Sequence, residues 1–183
     1  DTFSLLINAL SDQDSNVRER AVEVLAGIGG SQAVEPLIKS LTDKELFVRK
    51  AGVIALGEIK DPRVIPVLIE MLDDEEDIRE EAVGALKSIA ESTKDITSLE
   101  KLFSVKSHEE IQLAGTESFI AIGKPAVESL IKILLNRDNE DARKYAAIAL
   151  GEIKDPRSVM PLIAALTDEN SGLGDMANKA LIK

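Results

Sequence analysis

Residues 54–63, IALGEIKDPR, recur without a single change at 148–157, 94 positions further along. In a chain of 183 residues an unbroken ten-residue recurrence means internal repetition, and repetition limits the possible folds more than any other feature. Weaker copies fill the interval. Each opens on a small or branched apolar residue followed by arginine: Val17-Arg18, Val48-Arg49, Ile78-Arg79 and Ala142-Arg143. Ile111-Gln112 and Leu173-Gly174 keep the phase without the arginine. The steps between openers are 31, 30, 33, 31 and 31 residues. Eight residues after each opener stands Leu25, Leu56, Leu86, Phe119, Leu150 or Leu181.

Each repeat reads as two helices. Over 17–28 the apolar residues fall mostly on one helical face, with Arg18, Glu19, Arg20 and Glu23 between them. Gly29-Gly30, or Lys-Asp-Pro-Arg in the two identical segments, ends that helix, since proline cannot continue it and glycine accepts a left-handed cap. A second helix over 33–41 presents Val34, Leu37, Ile38 and Leu41, and the acidic turn Thr42-Asp43-Lys44-Glu45 is expected to cap the next opener. Neither helix is long enough to stand alone, so stacked neighbours must cover its apolar face. The expected organisation is one array over 1–183, with repeats of about 31 residues opening near 16, 47, 77, 110 and 141. Half repeats at 1–15 and 172–183 flank it, and such unfinished ends are expected of a piece of a longer chain.

The run Asp43…Val48-Arg49…Ala55-Leu56-Gly57-Glu58-Ile59…Asp61-Pro62-Arg63…Pro66…Leu68-Ile69 resembles the HEAT repeat, and more narrowly the short HEAT-like repeat of the phycocyanobilin lyases. The resemblance implies an all-α fold, a right-handed α-α superhelix of antiparallel helix pairs. It also implies a ladder between a turn aspartate and the opener arginine of neighbouring repeats. By that pattern Asp12, Asp43, Asp73 and Asp168, five residues before an opener, are the acidic members of the ladder, and Arg18, Arg49, Arg79 and Arg143 the basic ones. Lys106 and Arg137 interrupt the ladder before the fourth and fifth openers. Residues 88–93 (SIAEST) replace the Gly-x-Ile-x-Asp-Pro turn, so the stack is expected to be least regular around 88–110.

Composition closes off several functions. With one histidine and no cysteine, nucleophilic catalysis has few starting points, and thiolate metal sites and disulfides are excluded. Histidine-rich HEAT-type proteins resembling deoxyhypusine hydroxylase hold iron through several His-Glu pairs. Here His108-Glu109 is single and out of that register, so a solvated role is expected, with no metal and no cofactor. The acidic run 73–77 lacks the glycine and distal glutamate of an EF-hand loop and reads as a capping turn. Against 22 basic side chains stand 33 acidic ones, net −11, and aromatics make up only 3%. Phosphate binding needs the opposite balance, so nucleic acid is excluded as a partner. No apolar run suggests a membrane span, and a cytoplasmic location is expected.

What is left is a binding surface. The resemblance implies that helices beginning at the opener line the concave side. Positions the core does not claim lie one before the opener and two, three, six and ten after it. They supply Glu19, Arg20 and Glu23, then Phe47, Lys50, Ala51, Ile54 and Glu58. Later repeats add Asp77, Glu80 and Glu81, then Leu113 and Glu117, then Lys144, Tyr145 and Ile148. Phe47 with Ile54, and Tyr145 with Ile148 and Leu113, are apolar islands set among acidic groups, the composition of a protein-binding face. The function expected is a non-catalytic scaffold or adaptor that takes a protein or peptide, basic or mixed basic-apolar. Two alternatives stand beside it: a bilin-lyase-like subunit acting on a chromophore-bearing protein, or a binding array attached to a catalytic domain outside this chain.

Overall fold

The computed structural model describes residues 2–94, 96–104, 109–168 and 171–183. His108 and Lys106 therefore lie outside the described residues. Among those described, every regular element is helical, with short 3-10 turns joining some of the helices. The helices fall into two compact units, Asp1–Thr93 and Lys94–Lys183. Their boundary lies inside the 88–110 stretch that lacks the Gly/Pro turn.

In the first unit α1 (Thr2–Ala9), α3 (Val34–Ser40) and α5 (Ile65–Glu70) are second helices of their repeats. Helices α2 (Ser15–Gly29), α4 (Leu46–Ile59) and α6 (Glu76–Thr93) begin at openers. Helix α4 packs against both α2 and α6. The apolar periodicity forms the core: Leu25, Val48, Leu56, Leu68 and Ile78 are all buried. Val17 is the exception among openers, 38% exposed with only the half repeat α1 before it. Close approach depends on glycine at one place. A Cβ added to Gly57 would lie 2.7 Å from Ala85 Cβ and 3.1 Å from Ala85 Cα on α6.

The second unit repeats the scheme with α7 (Ile96–Ser104), α9 (Val127–Leu135) and α11 (Val159–Leu166) as second helices. Helices α8 (Glu109–Ile122), α10 (Glu140–Ile153) and α12 (Ser171–Ile182) begin at or near openers. Gly151 meets α12 as Gly57 meets α6, with a virtual Cβ 2.7 Å from both Cα and Cβ of Ala180. Helix α8 departs from the pattern. Gln112 replaces the opener arginine and is buried, while Phe103 and Phe119 fill the core with ring centroids 5.3 Å apart.

The two identical ten-residue segments adopt one local structure. Each helix ends at a lysine in the left-handed region, Lys60 at φ 55° and Lys154 at φ 54°. Asp61 and Asp155 then accept the backbone N–H of Arg63 and Arg157, each at 3.0 Å. The stop attributed to proline is thus made one or two residues earlier, by lysine in a conformation that usually favours glycine. The acidic turn also caps differently from expectation. Glu45, at the cap of α4, makes no side-chain cap bond, and Asp43 accepts the Glu45 N–H at 3.0 Å instead.

Candidate functional site

The opener arginines are positioned by their helices to reach one repeat forward. Arg18 donates twice to Asp43, Nε at 2.7 Å and Nη2 at 2.8 Å, and both side chains are largely buried. Arg49 does the same to Asp74 at 3.0 Å and also reaches Glu75 at 3.2 Å. In the second unit Arg143 donates to Asp168 at 2.5 Å and to the Leu134 carbonyl at 2.8 Å. Each pair is separated by 25 residues. The arginine forks also satisfy carbonyls of their own turn: Arg18 donates to Asp12 O, and Arg49 to Asp43 O. The Arg18 guanidinium holds the Asp43 carboxyl below its ordinary value, and Arg49 does so for Asp74.

Three assignments of the ladder need correction. Asp74, not Asp73, accepts from Arg49: the 25-residue reach from arginine to carboxylate is kept, and the 30-residue step brings the next opener one residue closer to that carboxylate. Asp12 offers Arg18 only its backbone carbonyl, and its carboxylate accepts the Asp14 N–H at 2.9 Å. Arg79 pairs with no carboxylate among the described residues and donates instead to the carbonyls of Leu72 and Asp74.

Sequence patterns alone did not reveal a further link. Arg63 grips Asp61 and reaches back to Ser31 O at 3.3 Å, in the turn of the preceding repeat. Arg157 grips Asp155 and reaches back to Lys124 O at 3.0 Å and Glu128 at 3.1 Å. Hydrogen bonds from Arg157 hold the Asp155 carboxyl at about 2. The recurrence of Asp-Pro-Arg after each identical helix was the signal available for it.

On the face of α2 and α4 away from the second helices lies a cleft of about 480 Å³. Glu19, Glu23 and Ala26 of α2 form one wall, and Phe47, Lys50, Ala51, Ile54, Ala55 and Glu58 of α4 form the other. Phe47 and Ile54 remain 37% and 40% exposed, although both are large and apolar. Lys50 pairs with Glu81 of α6 at 3.2 Å, and Glu23 with Arg20 at 2.7 Å. Glu80, the neighbour of Glu81 in α6, is exposed.

In the second unit Leu113 of α8 is 50% exposed, whereas Tyr145 and Ile148 of α10 are half-buried. The Tyr145 hydroxyl donates to Glu109 at 3.3 Å. Burial raises its pKa above the ordinary value, and the Glu109 charge adds to the effect. Lys144 pairs with Asp141 at 3.2 Å. Glu117 is exposed on α8 and thus belongs to the second unit, while Asp77, Glu80 and Glu81 belong to the first. Among the described residues no group of three or more histidine, cysteine, aspartate or glutamate side chains could hold a metal. No described helix is long and apolar enough to cross a membrane.

The sequence model described as HEAT repeats matches residues 3–87 and 127–183. The chain belongs to the HEAT-repeat family. The HEAT match passes over 88–126, the stretch containing the unit boundary and the glutamine-bearing helix α8. Among solved structures, the chain is similar to Mini spindles TOG3 of Drosophila melanogaster, at 19% identity and TM-score 0.65. That match covers 96% of this chain and 92% of the other. An engineered protein matches at 22% identity and TM-score 0.56, over 100% of this chain and 98% of that one. The complex of CpcE and CpcF of phycocyanin lyase from Nostoc sp. PCC7120 matches at 24% identity and TM-score 0.54, over 97% and 74%. At these identities the likeness concerns the HEAT-type helical-repeat fold. No curated protein matches the sequence.

Proposed function

We propose that this HEAT-repeat chain is a non-catalytic binding module that takes a protein or peptide on the face formed by its opener helices. The observation that carries the reading is the cleft between α2 and α4. Seven of its nine lining residues stand at positions that the repeat core leaves unclaimed. An exposed aromatic beside an exposed isoleucine, ringed by charge, is the arrangement that supplies affinity in protein interfaces. With net charge −11 and carboxylates around the cleft, the partner is basic or mixed basic-apolar rather than acidic. In the other unit exposed Leu113, with half-buried Tyr145 and Ile148, supplies a smaller apolar surface.

Selection from a random peptide library on the full chain tests this. Selected peptides are expected to carry lysine or arginine next to apolar residues. Their affinity for a Phe47→Ala/Ile54→Ser variant is expected to fall about 30-fold, equivalent to about 2 kcal/mol. Unchanged affinity would remove this face from consideration.

A bilin-lyase-like role draws its support from the likeness to the phycocyanin lyase complex. Mixing the chain with free bilin is expected to leave the chromophore absorbance unshifted, and a shift would favour that role over the adaptor.

A further inference from the structure

Within the proposed binding face, and resting on that reading, the geometry points to an occupant of defined pattern. It is an extended segment reading basic-x-apolar-x-basic, with its two cations on Glu19 and Glu58.

Charge within the cleft is uneven. Three carboxylates line it against one ammonium group. Glu23 is already bound to Arg20 and Lys50 to Glu81. Glu19 and Glu58 are in no ion pair among the described residues. The cleft therefore offers two unneutralised anions with an apolar floor of Phe47, Ile54 and Ala51 between and beside them.

The repeat fixes where these anions stand. Lys50 pairs with Glu81, and Gly57 approaches Ala85, so α4 and α6 run parallel. The close contact of Gly57 with Ala85, nine residues after one opener and seven after the next, gives in the preceding repeat a register that sets Glu19 level with Val48, beside Phe47 and Ala51 of the cleft. Glu58 lies ten residues beyond Val48, about 15 Å along the helix axis. In an extended peptide, residues i, i+2 and i+4 face one side, and i to i+4 spans about 13 Å. Glutamate and arginine side chains are long enough to absorb the difference. The middle residue then sits over Ile54, and Phe47 lies at the Glu19 end. Arginine suits the end next to Phe47, because its planar cation can lie on the ring while its fork meets a carboxylate.

The test is fluorescence anisotropy of labelled Gly-Arg-Ala-Leu-Ala-Arg-Gly with the full chain at low salt. Replacing either arginine by citrulline, or leucine by serine, is expected to weaken binding at least fivefold. Glu58→Gln should weaken binding of the parent peptide about fivefold. It should have little effect on the peptide that lacks one particular arginine, and Glu19→Gln should show the same coupling to the other. Circular dichroism on each variant confirms the fold. If Phe47→Ala weakens binding while both glutamine variants leave it unchanged, the two-cation pattern is wrong and the binding face stands. No binding of the parent peptide at millimolar concentration also overturns the pattern, and the library selection then judges the face by itself.

Discussion

Gly57 and Gly151 illustrate how much can rest on one absent methyl group. Each lies against an alanine of the next opener helix, at distances that leave no room for a Cβ. Gly57→Leu is expected to destabilise the chain by about 1–3 kcal/mol, as overpacking does, against a helix-propensity gain of under about 1 kcal/mol. Denaturant melts check this, and a variant as stable as the parent would show that the neighbouring helix yields without cost. The ladder carboxylates set a second expectation, on pH. Asp43, Asp74, Asp61 and Asp155 are all held below their ordinary values by hydrogen bonds from arginine. A depressed carboxyl contributes stability that is present above its unfolded value and lost as pH falls through the folded one. Thermal midpoints should therefore drop between about pH 4 and pH 2. Asp43→Asn should lower the midpoint at pH 7 and make it less sensitive to acid over that window. Tyr145 acts at the other extreme: its pKa is raised, so its contribution is lost as pH rises above about 10.

Helix ends carry the next consequence. Lys60 and Lys154 hold left-handed conformations that cost an L side chain about 1 kcal/mol relative to glycine. Lys60 is exposed, so nothing in its packing repays that cost. Lys60→Gly is expected to raise stability by about 0.5–1 kcal/mol in urea unfolding, and Lys154→Gly by a similar amount. A loss of stability in either variant would mean that the lysine side chain holds the turn in a way its exposure hides. This detail was not legible in the sequence. Proline is a visible helix breaker, whereas a lysine gives no local sign that its backbone will turn left-handed. The aspartate two residues before Arg63 was visible, but its grip on that arginine, and the arginine's reach to Ser31, depend on the neighbouring turn being in place.

Each of the two units has its own buried core, the first around Leu25, Leu56 and Leu68, the second around Phe119, Leu130 and Leu150. Helical repeats gain stability from nearest neighbours, so a unit with several stacked pairs can persist alone. Residues 1–93 and 94–183, expressed separately, are each expected to give a helical circular dichroism spectrum with cooperative melting. Two unfolded halves would show that the cores are not self-sufficient.

Periodicity alone determined the architecture of this protein: helix pairs of about 31 residues, with openers and core leucines, because burial of an apolar stripe at helical spacing is a local property of the chain. It also marked Phe47, Lys50, Ile54 and their acidic neighbours as positions the core does not need. Tertiary structure decided the rest. That Asp74 rather than Asp73 meets Arg49 follows from the reach of arginine across stacked helices, the same 25 residues in each pair, and not from distance to the next opener. That Lys50 is tied to Glu81 while Glu19 and Glu58 are in no ion pair among the described residues follows from helix register across repeats. So do the partial burial of Tyr145 and its hydrogen bond to Glu109. Charge pairing and exposure are set by distances between residues 25 to 36 apart in sequence, and no local pattern encodes those distances.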